Sequence, residues 1–362
     1  MKIKAPLLTS LFSLGLILNS IPHSEACTRA LYTSESGIVM TGRSMDWMED
    51  MHSNMWVFPR GIKRDGAAGE GSITWISKYG SLIVSGYDVG TADGLNEKGL
   101  AANVLYLAES SYEESGNHKP LLSISLWAQY ALDLFASVSE AVDALRKEPF
   151  RLIAPVLPNG SPAQLHLSLS DSSGDSAIFE YLDGKLVIHH GKKYTVMTNS
   201  PSYDQQLALN TYWEEIGGLN FLPGTSRAAD RFARTYFFLN ALPKTVDPHY
   251  ITAVPGKQFT YQAVAGVLGV IRNVSVPLGI STPDQPNIAS TLWRVIADQT
   301  NKVYYFDSAT TPDTFWIPLA DLNFSNGAPV MKLSISEGNI YSGNAAKFLE
   351  KSNPFAFLKA HP

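Results

Sequence analysis

Cys27 is the only cysteine in the 362-residue chain, and it directly follows a segment that has the three parts of a secretory signal. Residues 1–26 begin with a basic stretch, continue as an apolar run and end in the small-x-small sequence Ser24-Glu25-Ala26. Cleavage after Ala26 would make Cys27 the first residue. The new N-terminus would then carry a thiol and an α-amine, which are a nucleophile and its own base on one residue.

Three other interpretations of Cys27 stay open. A lone cysteine is commonly a small buried hydrophobic residue. A lipoprotein would also begin at a processed cysteine, although Ser24 and Glu25 stand where its signal carries an aliphatic and a small or apolar residue. Cleavage could also fall elsewhere, near Ser20. The position of the thiol nevertheless favours a catalytic N-terminal cysteine.

Two charged residues are predicted to lie near Cys27. Centring a hairpin turn between Ser34 and Gly37 sets Cys27 opposite Ser44, with Arg43 as a near or diagonal neighbour within side-chain reach. An arginine there would lower the thiol pKa from its free value of about 8.5. Asp46, just beyond, could hold the N-terminal amine. By spacing alone, the pair could equally be a surface ion pair.

The composition limits the class of protein and its partners. A hydrophobic content of 45% and a charged content of 17% are typical of a globular protein. The formal net charge of −5 and the lack of basic clusters argue against a nucleic-acid partner. No apolar run after Leu18 approaches the roughly 20 residues that span a bilayer, so no membrane anchor is expected after cleavage. An exported chain with one cysteine has no internal disulfide, which favours a chemical role for the thiol.

The pattern of residues predicts strands, then helices, then strands, helices and strands again. Strands are expected at 28–33, 38–43, 54–58, 72–76, 81–87 and 100–107, with a tight polar turn over 93–99; helices at 121–135 and 137–147; strands at 165–170, 177–182, 186–189 and 195–198; helices at 203–215, 229–242 and 261–270; and strands at 291–297 and 303–306. This order indicates two stacked antiparallel sheets with helices outside, in one domain over residues 27–362.

Five motifs, in this order and at fitting distances, resemble those of the penicillin V acylase and bile salt hydrolase (choloylglycine hydrolase) family. They are Cys27-Thr28-Arg29, Gly42-Arg43-Ser44-Met45-Asp46-Trp47, Ala92-Asp93-Gly94-Leu95-Asn96-Glu97-Lys98-Gly99-Leu100, Thr198-Asn199-Ser200-Pro201, and Leu222-Pro223-Gly224 with Asp230-Arg231-Phe232. The family belongs to the N-terminal nucleophile hydrolases. The resemblance therefore implies an α+β fold, a four-layer αββα sandwich of two antiparallel sheets flanked by helices.

The resemblance assigns a catalytic role to Cys27 and to two residues near it. Cys27 would attack a linear amide with its own α-amine as the base, directly or through a water, and form an acyl-thioester. Arg43 would steady the thiolate, and Asp46 would bind the amine. No metal or organic cofactor has a part in this chemistry. His189 and His190, at the end of an apolar strand pattern, are expected to be ordinary strand residues rather than metal ligands.

Three more catalytic residues follow from the resemblance. The side-chain amide of Asn199 would donate to the oxyanion of the tetrahedral intermediate. Tyr106 stands where the family places a residue whose backbone N–H is the second oxyanion donor. Arg231 would support the site through hydrogen bonds.

The resemblance also bears on substrate, location and assembly. Tyrosine at position 106 is found in penicillin V acylases, whereas many bile salt hydrolases have asparagine there. With Met45 and Trp47 at the expected pocket wall, Tyr106 favours an apolar or aromatic acyl group. The export signal indicates the Gram-negative, periplasmic branch, and the family implies a homotetramer. Acyl-homoserine lactones and conjugated bile salts stay open as substrates, and an exported binding protein without catalysis stays open as a function of another class.

Overall fold

The computed structural model describes residues 27–112, 118–283 and 288–361. The predicted signal, residues 1–26, lies outside the described residues. Within these three ranges, no helix has both the length and the apolar composition needed to cross a membrane. The elements below therefore refer to the chain from Cys27 onwards.

The described ranges contain twenty strands, many of them only two to four residues long. They are β1 (Thr28–Thr33), β2 (Val39–Trp47), β3 (Met55–Phe58), β4 (Lys63–Asp65), β5 (Thr74–Ile76), β6 (Ser81–Gly86), β7 (Gly90–Asn96), β8 (Ala101–Tyr106), β9 (Leu121–Ser123), β10 (Arg151–Ile153), β11 (Leu165–Ser170), β12 (Ser176–Leu182), β13 (Lys185–His190), β14 (Val196–Met197), β15 (Ser290–Asp298), β16 (Val303–Ser308), β17 (Thr314–Pro318), β18 (Met331–Leu333), β19 (Gly343–Asn344) and β20 (Glu350–Lys351).

Five α-helices and five 3-10 helices complete the described elements. The α-helices are α1 (Trp127–Leu134), α2 (Val138–Leu145), α3 (Tyr203–Ile216), α4 (Ala228–Ala241) and α5 (Phe259–Asn273). The 3-10 helices cover Ile124–Leu126, Ile251–Ala253, Pro255–Lys257, Leu319–Asp321 and Ala346–Phe348. Ser137 caps the N-terminus of α2, because its Oγ accepts the backbone N–H of Glu140.

Most of the strands form two large sheets. The first has seven strands in the order β14-β1-β2-β15-β16-β17-β19 and is antiparallel except between β17 and β19. The second has nine strands in the order β13-β12-β11-β8-β7-β6-β3-β18-β20 and is antiparallel throughout. Helices α4 and α5 pack on the first sheet, and α1 and α2 pack on the second. The predicted αββα sandwich of the α+β class is confirmed.

A glycine on β2 allows α5 to approach the first sheet closely. The buried residues of α5 are Ala263, Val267, Val270 and Ile271, which form one apolar face at helical spacing. A Cβ atom at Gly42 would lie 2.8 Å from Ile271 Cγ1 and 2.9 Å from Val267 Cγ1, closer than carbon atoms pack. The contact fixes β2 against the helix one residue before Arg43.

The first hairpin has a different register from the predicted one. Thr28, rather than Cys27, is opposite Ser44, so the register continues with Cys27 opposite Met45. The turn closes with hydrogen bonds between Ser34 and Ile38, and Gly37 has a φ of +82°. The loop thus holds three residues instead of two, a common hairpin form with a left-handed third residue. Because side chains alternate between faces, the extra residue puts Arg43 on the same face as Cys27.

Strands β4, β10 and β17 to β20 have no predicted counterpart, and two predicted segments differ in kind. The segment 93–99 is only partly a turn, since β7 continues to Asn96 and the turn itself is Glu97-Lys98-Gly99. The predicted helix at 121–135 begins instead as strand β9, which pairs in parallel with β10, and becomes α-helical at Trp127. In both places a buried tertiary contact overrides the local pattern.

Candidate active site

Cys27 lies at the start of β1 with 3% of its surface exposed. Its Sγ is 3.9 Å from Arg43 Nη2 and 3.8 Å from Met45 Sδ, and it accepts the backbone N–H of Asp46 at 3.5 Å. Burial raises the pKa of the Cys27 thiol, while the positive charge of Arg43 acts in the opposite direction. Burial thus favours the neutral thiol, and Arg43 favours the thiolate.

Arg43 is buried and is held from three sides. Its Nη2 donates to the carbonyl of Val104 at 3.1 Å, and its Nη1 lies 3.7 Å from Asp93 Oδ2. The guanidinium also stacks over the indole of Trp293, 4.7 Å from the ring centroid. These contacts leave Nη2 directed at the two sulfur atoms of Cys27 and Met45.

Asp93 is a site residue that the sequence analysis placed in a turn. It is buried on β7, where it accepts Asn103 Nδ2 at 2.7 Å and the Tyr304 hydroxyl at 2.6 Å, and it is the counter-ion of Arg43. Burial raises its pKa, and Arg43 lowers it. The available signal was its place in the motif that runs from Ala92 to Leu100.

Asn199 connects three parts of the site. It lies between β14 and α3, and its Oδ1 accepts the backbone nitrogen of Cys27 at 2.6 Å and Arg231 Nη2 at 2.9 Å. Its Nδ2 donates to the carbonyl of Tyr106 at 2.8 Å. One of the two Nδ2 hydrogens satisfies that carbonyl. An amide has a second N–H, which can serve an oxygen of a bound molecule.

The backbone of Tyr106 faces Asn199. Where β8 pairs with β11, Leu107 N–H donates to the carbonyl of Gln164. Hydrogen-bonded and non-hydrogen-bonded residue pairs alternate along antiparallel strands, so the next pair, Tyr106 and Leu165, has no hydrogen bond between its two backbones. Both backbone groups of Tyr106 therefore point away from β11, towards the side on which Asn199 meets its carbonyl.

Arg231 on α4 is buried and clamps the start of β1. Its Nη1 donates to the carbonyl of Cys27 at 2.5 Å and to Thr28 Oγ1 at 2.6 Å, and its Nε donates to the carbonyl of Ser226 at 2.8 Å. Burial lowers the pKa of Arg231, and the neighbouring Asp46 and Cys27 raise it. The clamp fixes Cys27 relative to Asn199.

Asp46 meets Cys27 through its backbone, whereas its carboxylate accepts the hydroxyl groups of Ser44, at 3.3 Å, and of Thr291. The backbone nitrogen of Cys27 donates to Asn199 instead. The predicted contact of Asp46 with the N-terminal amine stays a prediction. Burial raises the pKa of Asp46 from 3.8 to about 6, and the charge of Arg231 acts against this shift.

The raised pKa of Asp46 predicts a pH-dependent stability. Between pH 3.8 and about pH 6, the Asp46 carboxyl group is protonated in the folded state and ionised in the unfolded state. The free energy of unfolding therefore falls as the pH rises through about 6. Asp46→Asn has no such titration. Relative to this variant, the wild type should lose about 3 kcal/mol of stability from about pH 4 to about pH 7. Urea unfolding of the unprocessed chains, in which residue 27 carries no ammonium group, measures the difference; a pH-independent difference contradicts the prediction.

An apolar pocket opens at Cys27. The residues predicted to bind substrate, Met45, Trp47 and Tyr106, all line it, and the rings of Trp47 and Tyr106 meet edge to face at 6.3 Å. The rest of the wall is mostly apolar and consists of Arg43, Met51, Gly86, Tyr87, Val89, Gly90, Thr91, Ala92, Val104, Ile124, Ser125, Pro155, Leu157, Ala163, Leu165 and Leu358. Such a pocket suits an apolar group placed against the thiol.

The two adjacent histidines lie apart from this pocket. His189 packs against Tyr194 and Tyr203, and His190 pairs with Asp175 at 2.8 Å. In the ranges that the structure describes, no group of three or more His, Cys, Asp or Glu side chains could hold a metal ion.

Known proteins resemble this chain over most of its length. The family model of linear amide C–N hydrolases, choloylglycine hydrolase family, matches residues 27–332. A penicillin V acylase of Pectobacterium atrosepticum is 49% identical over 351 residues, which cover 92% of each protein. The solved penicillin V acylase from Agrobacterium tumefaciens is 55% identical, with a TM-score of 0.82 over 92% of this chain and 99% of that one.

A more distant solved structure supports the fold alone. It is a mutant of conjugated bile acid hydrolase from Clostridium perfringens, 21% identical, with a TM-score of 0.70 over 88% of this chain and 98% of that one. The family match and the two closer relatives bear on activity as well as fold. This chain belongs to the choloylglycine hydrolase family of linear amide C–N hydrolases.

Proposed function

We propose that the protein is a penicillin V acylase-like amidase whose nucleophile is the thiol of Cys27. The observation that carries the proposal is the position of Cys27, with its Sγ beside Arg43 at the wall of an apolar pocket and its nitrogen on Asn199. The family match also begins at residue 27. A free α-amine has a pKa of about 7.7–8.0, which suits a general base near neutral pH.

The reaction begins with proton transfer from the thiol to the α-amine of Cys27. The sulfur then attacks the amide carbon, while the positive charge of Arg43, at 3.9 Å, favours the thiolate. The amine passes the proton to the leaving nitrogen when the C–N bond breaks, which leaves an acyl-thioester. Water hydrolyses the thioester, releases the acid and restores the thiol. Asp46 and Arg231 hold the charged amine and the start of β1.

Asn199 and Tyr106 form the proposed oxyanion site. The second Nδ2 hydrogen of Asn199 and the backbone N–H of Tyr106 are the two donors, and the hydrogen bond from Asn199 to the Tyr106 carbonyl keeps the two residues together. Each such donor contributes roughly 10²–10³ in rate.

The pocket favours an apolar or aromatic acyl group. Met45, Trp47 and Tyr106 supply thioether and aromatic surface beside the thiol. Two relatives of 49% and 55% identity are penicillin V acylases. A bile salt conjugated to glycine or taurine would need a cation for its acid group, and Arg43 is already paired with Asp93 and directed at the sulfur. Acyl-homoserine lactones, which have apolar acyl chains, are the second candidate.

The substrate proposal predicts a preference that kinetics can measure. We expect kcat/KM for penicillin V to exceed that for glycocholate at least about tenfold, because the wall stabilises an aromatic ring by area burial at about 25 cal/mol per Å². A phenoxyacetyl amide and an acetyl amide of the same amine form the matched pair that isolates the acyl group. A tenfold preference for glycocholate would overturn the assignment, and faster turnover of acyl-homoserine lactones would move the natural substrate to that class.

We also infer export to the periplasm, cleavage after Ala26 and assembly as a homotetramer. The small-x-small sequence before Cys27 supports the cleavage site. The connection between α3 and α4 exposes Leu219 at 94% and Phe221 at 57%, which gives a second copy an apolar surface to cover. An exported binding protein with the same fold is the competing function, and it would bind acyl amides without cleaving them.

A further inference from the structure

The chain after β20 returns to the pocket. Leu358 donates its backbone N–H to the carbonyl of Val89 at 2.7 Å, and its own carbonyl accepts the hydroxyl groups of Ser123, at 2.7 Å, and Ser125, at 3.0 Å. Ala360 is 1% exposed. The segment 353–361, here called the C-terminal tail, is thus tied to the 3-10 helix before α1 and to the turn between β6 and β7.

Two aromatic residues anchor the C-terminal tail on the second sheet. The Phe355 ring packs edge to face on Trp56 and Phe58, with centroid distances of 5.3 and 5.9 Å. Phe357 lies 4.7 Å from Phe355, and the guanidinium of Arg64 stacks over it at 5.3 Å. Both rings are half-buried and pack against the apolar core between this sheet and its helices. The backbone on either side of Leu358 is therefore held in place.

Leu358 lines the same pocket as Cys27. Ser125, which binds the Leu358 carbonyl, and Val89, which accepts its N–H, line this pocket as well. The family match ends at residue 332, so membership of the family does not predict this part of the wall. A residue near the end of the chain therefore shapes the space in front of the nucleophile.

We propose that the C-terminal tail, through Leu358, sets the size of the acyl group that the pocket accepts. This inference rests on the proposed function in that the pocket is taken to hold the acyl group. A leucine held by hydrogen bonds on both sides of its backbone cannot easily move aside, so its side-chain volume is a fixed boundary. Within a rigid apolar wall, one methylene group too many changes kcat/KM roughly tenfold or more.

Two substitutions that change the side-chain volume at position 358 in opposite directions test the proposal. Leu358→Ala should raise the ratio of kcat/KM for a decanoyl amide to that for a butanoyl amide about tenfold, and Leu358→Trp should lower it by a similar factor. The substrates are 4-nitroanilides, which share one amine. Lys359→Ala, an exposed neighbour that does not line the pocket, is the matched control and should leave the ratio unchanged. A merely structural role would lower both activities together, and that outcome, or an unchanged ratio in both variants, overturns the proposal.

Binding to a chain without the thiol separates this proposal from the proposed function. In the Cys27→Ala background, calorimetry with the same amides should show Leu358→Ala favouring the longer acyl group and Leu358→Trp the shorter one. If these shifts appear while the wild type cleaves no amide, the tail sets the size of a binding pocket and the proposed catalysis is wrong. If the wild type is active and the Kd ratios do not move, the inference about Leu358 is wrong.

Discussion

Cys27→Ala is expected to lower kcat/KM for penicillin V by roughly 10³-fold or more, with the fold unchanged. The variant removes the sulfur that we propose forms the acyl-thioester, and it retains the backbone nitrogen and carbonyl that bind Asn199 and Arg231. Cys27→Ser should also lose most activity, since a hydroxyl is far less acidic than a thiol. Release of the free amine from penicillin V measures both variants, and circular dichroism checks their fold.

The chain offers a clean control for this prediction. Because Cys27 is the only cysteine, iodoacetamide can modify no other thiol, and one equivalent of adduct should remove the activity. The intact mass of each exported variant should correspond to a chain that starts at residue 27, which shows that maturation is unaffected. Near-wild-type activity in Cys27→Ser, or a wild-type chain that starts after Cys27 and is still active, would end the mechanism.

Asn199→Ala is expected to lower kcat at least about 10²-fold with a smaller change in KM, because the oxyanion to which we propose that Asn199 donates appears only in the transition state. The same residue also holds the nitrogen of Cys27 and Arg231 through Oδ1. A loss of activity in the alanine variant alone therefore does not distinguish the two functions of the side chain.

Asn199→Asp distinguishes them. An aspartate keeps an oxygen for the Cys27 nitrogen and for Arg231, but it has no N–H for an oxyanion or for the Tyr106 carbonyl. If donation to the oxyanion is the role, the aspartate variant should be as inactive as the alanine variant. Recovery of activity in Asn199→Asp would mean that Asn199 acts only by positioning Cys27. Steady-state kinetics with penicillin V decides between these outcomes.

Much of the layer order could be predicted, because it depends on periodicity over long segments. Strands and helices alternate in the chain as the two sheets and their helices require. The register of the first hairpin could not be predicted, since it depends on one residue of loop length at Gly37. That single residue decides whether Ser44 or Met45 faces Cys27.

Some residues of the candidate site could be predicted from the sequence, and others could not. Cys27, Arg43, Asn199 and Arg231 could be proposed from local motifs, and the structure brings them into contact, although their roles stay predictions. Asp93 was missed because its partners, Asn103 and Tyr304, lie on two other strands that only the folded sheets bring to it. Leu358 has no local signal at all, since a leucine in a short tail looks the same in sequence whether or not it lines a pocket.

The distances along the chain between contacting site residues have a consequence for folding. Cys27 contacts Asn199 across 172 residues and Arg231 across 204, and Ser123 contacts Leu358 across 235. Contacts between residues so far apart in sequence require large loops to close, and they form slowly compared with local helices and turns. The contacts of Cys27 with Asn199 and Arg231 therefore form only when most of the chain has folded, whereas its contacts with Arg43 and Met45 lie within one hairpin. We therefore expect enzyme activity to return later in refolding than secondary structure does.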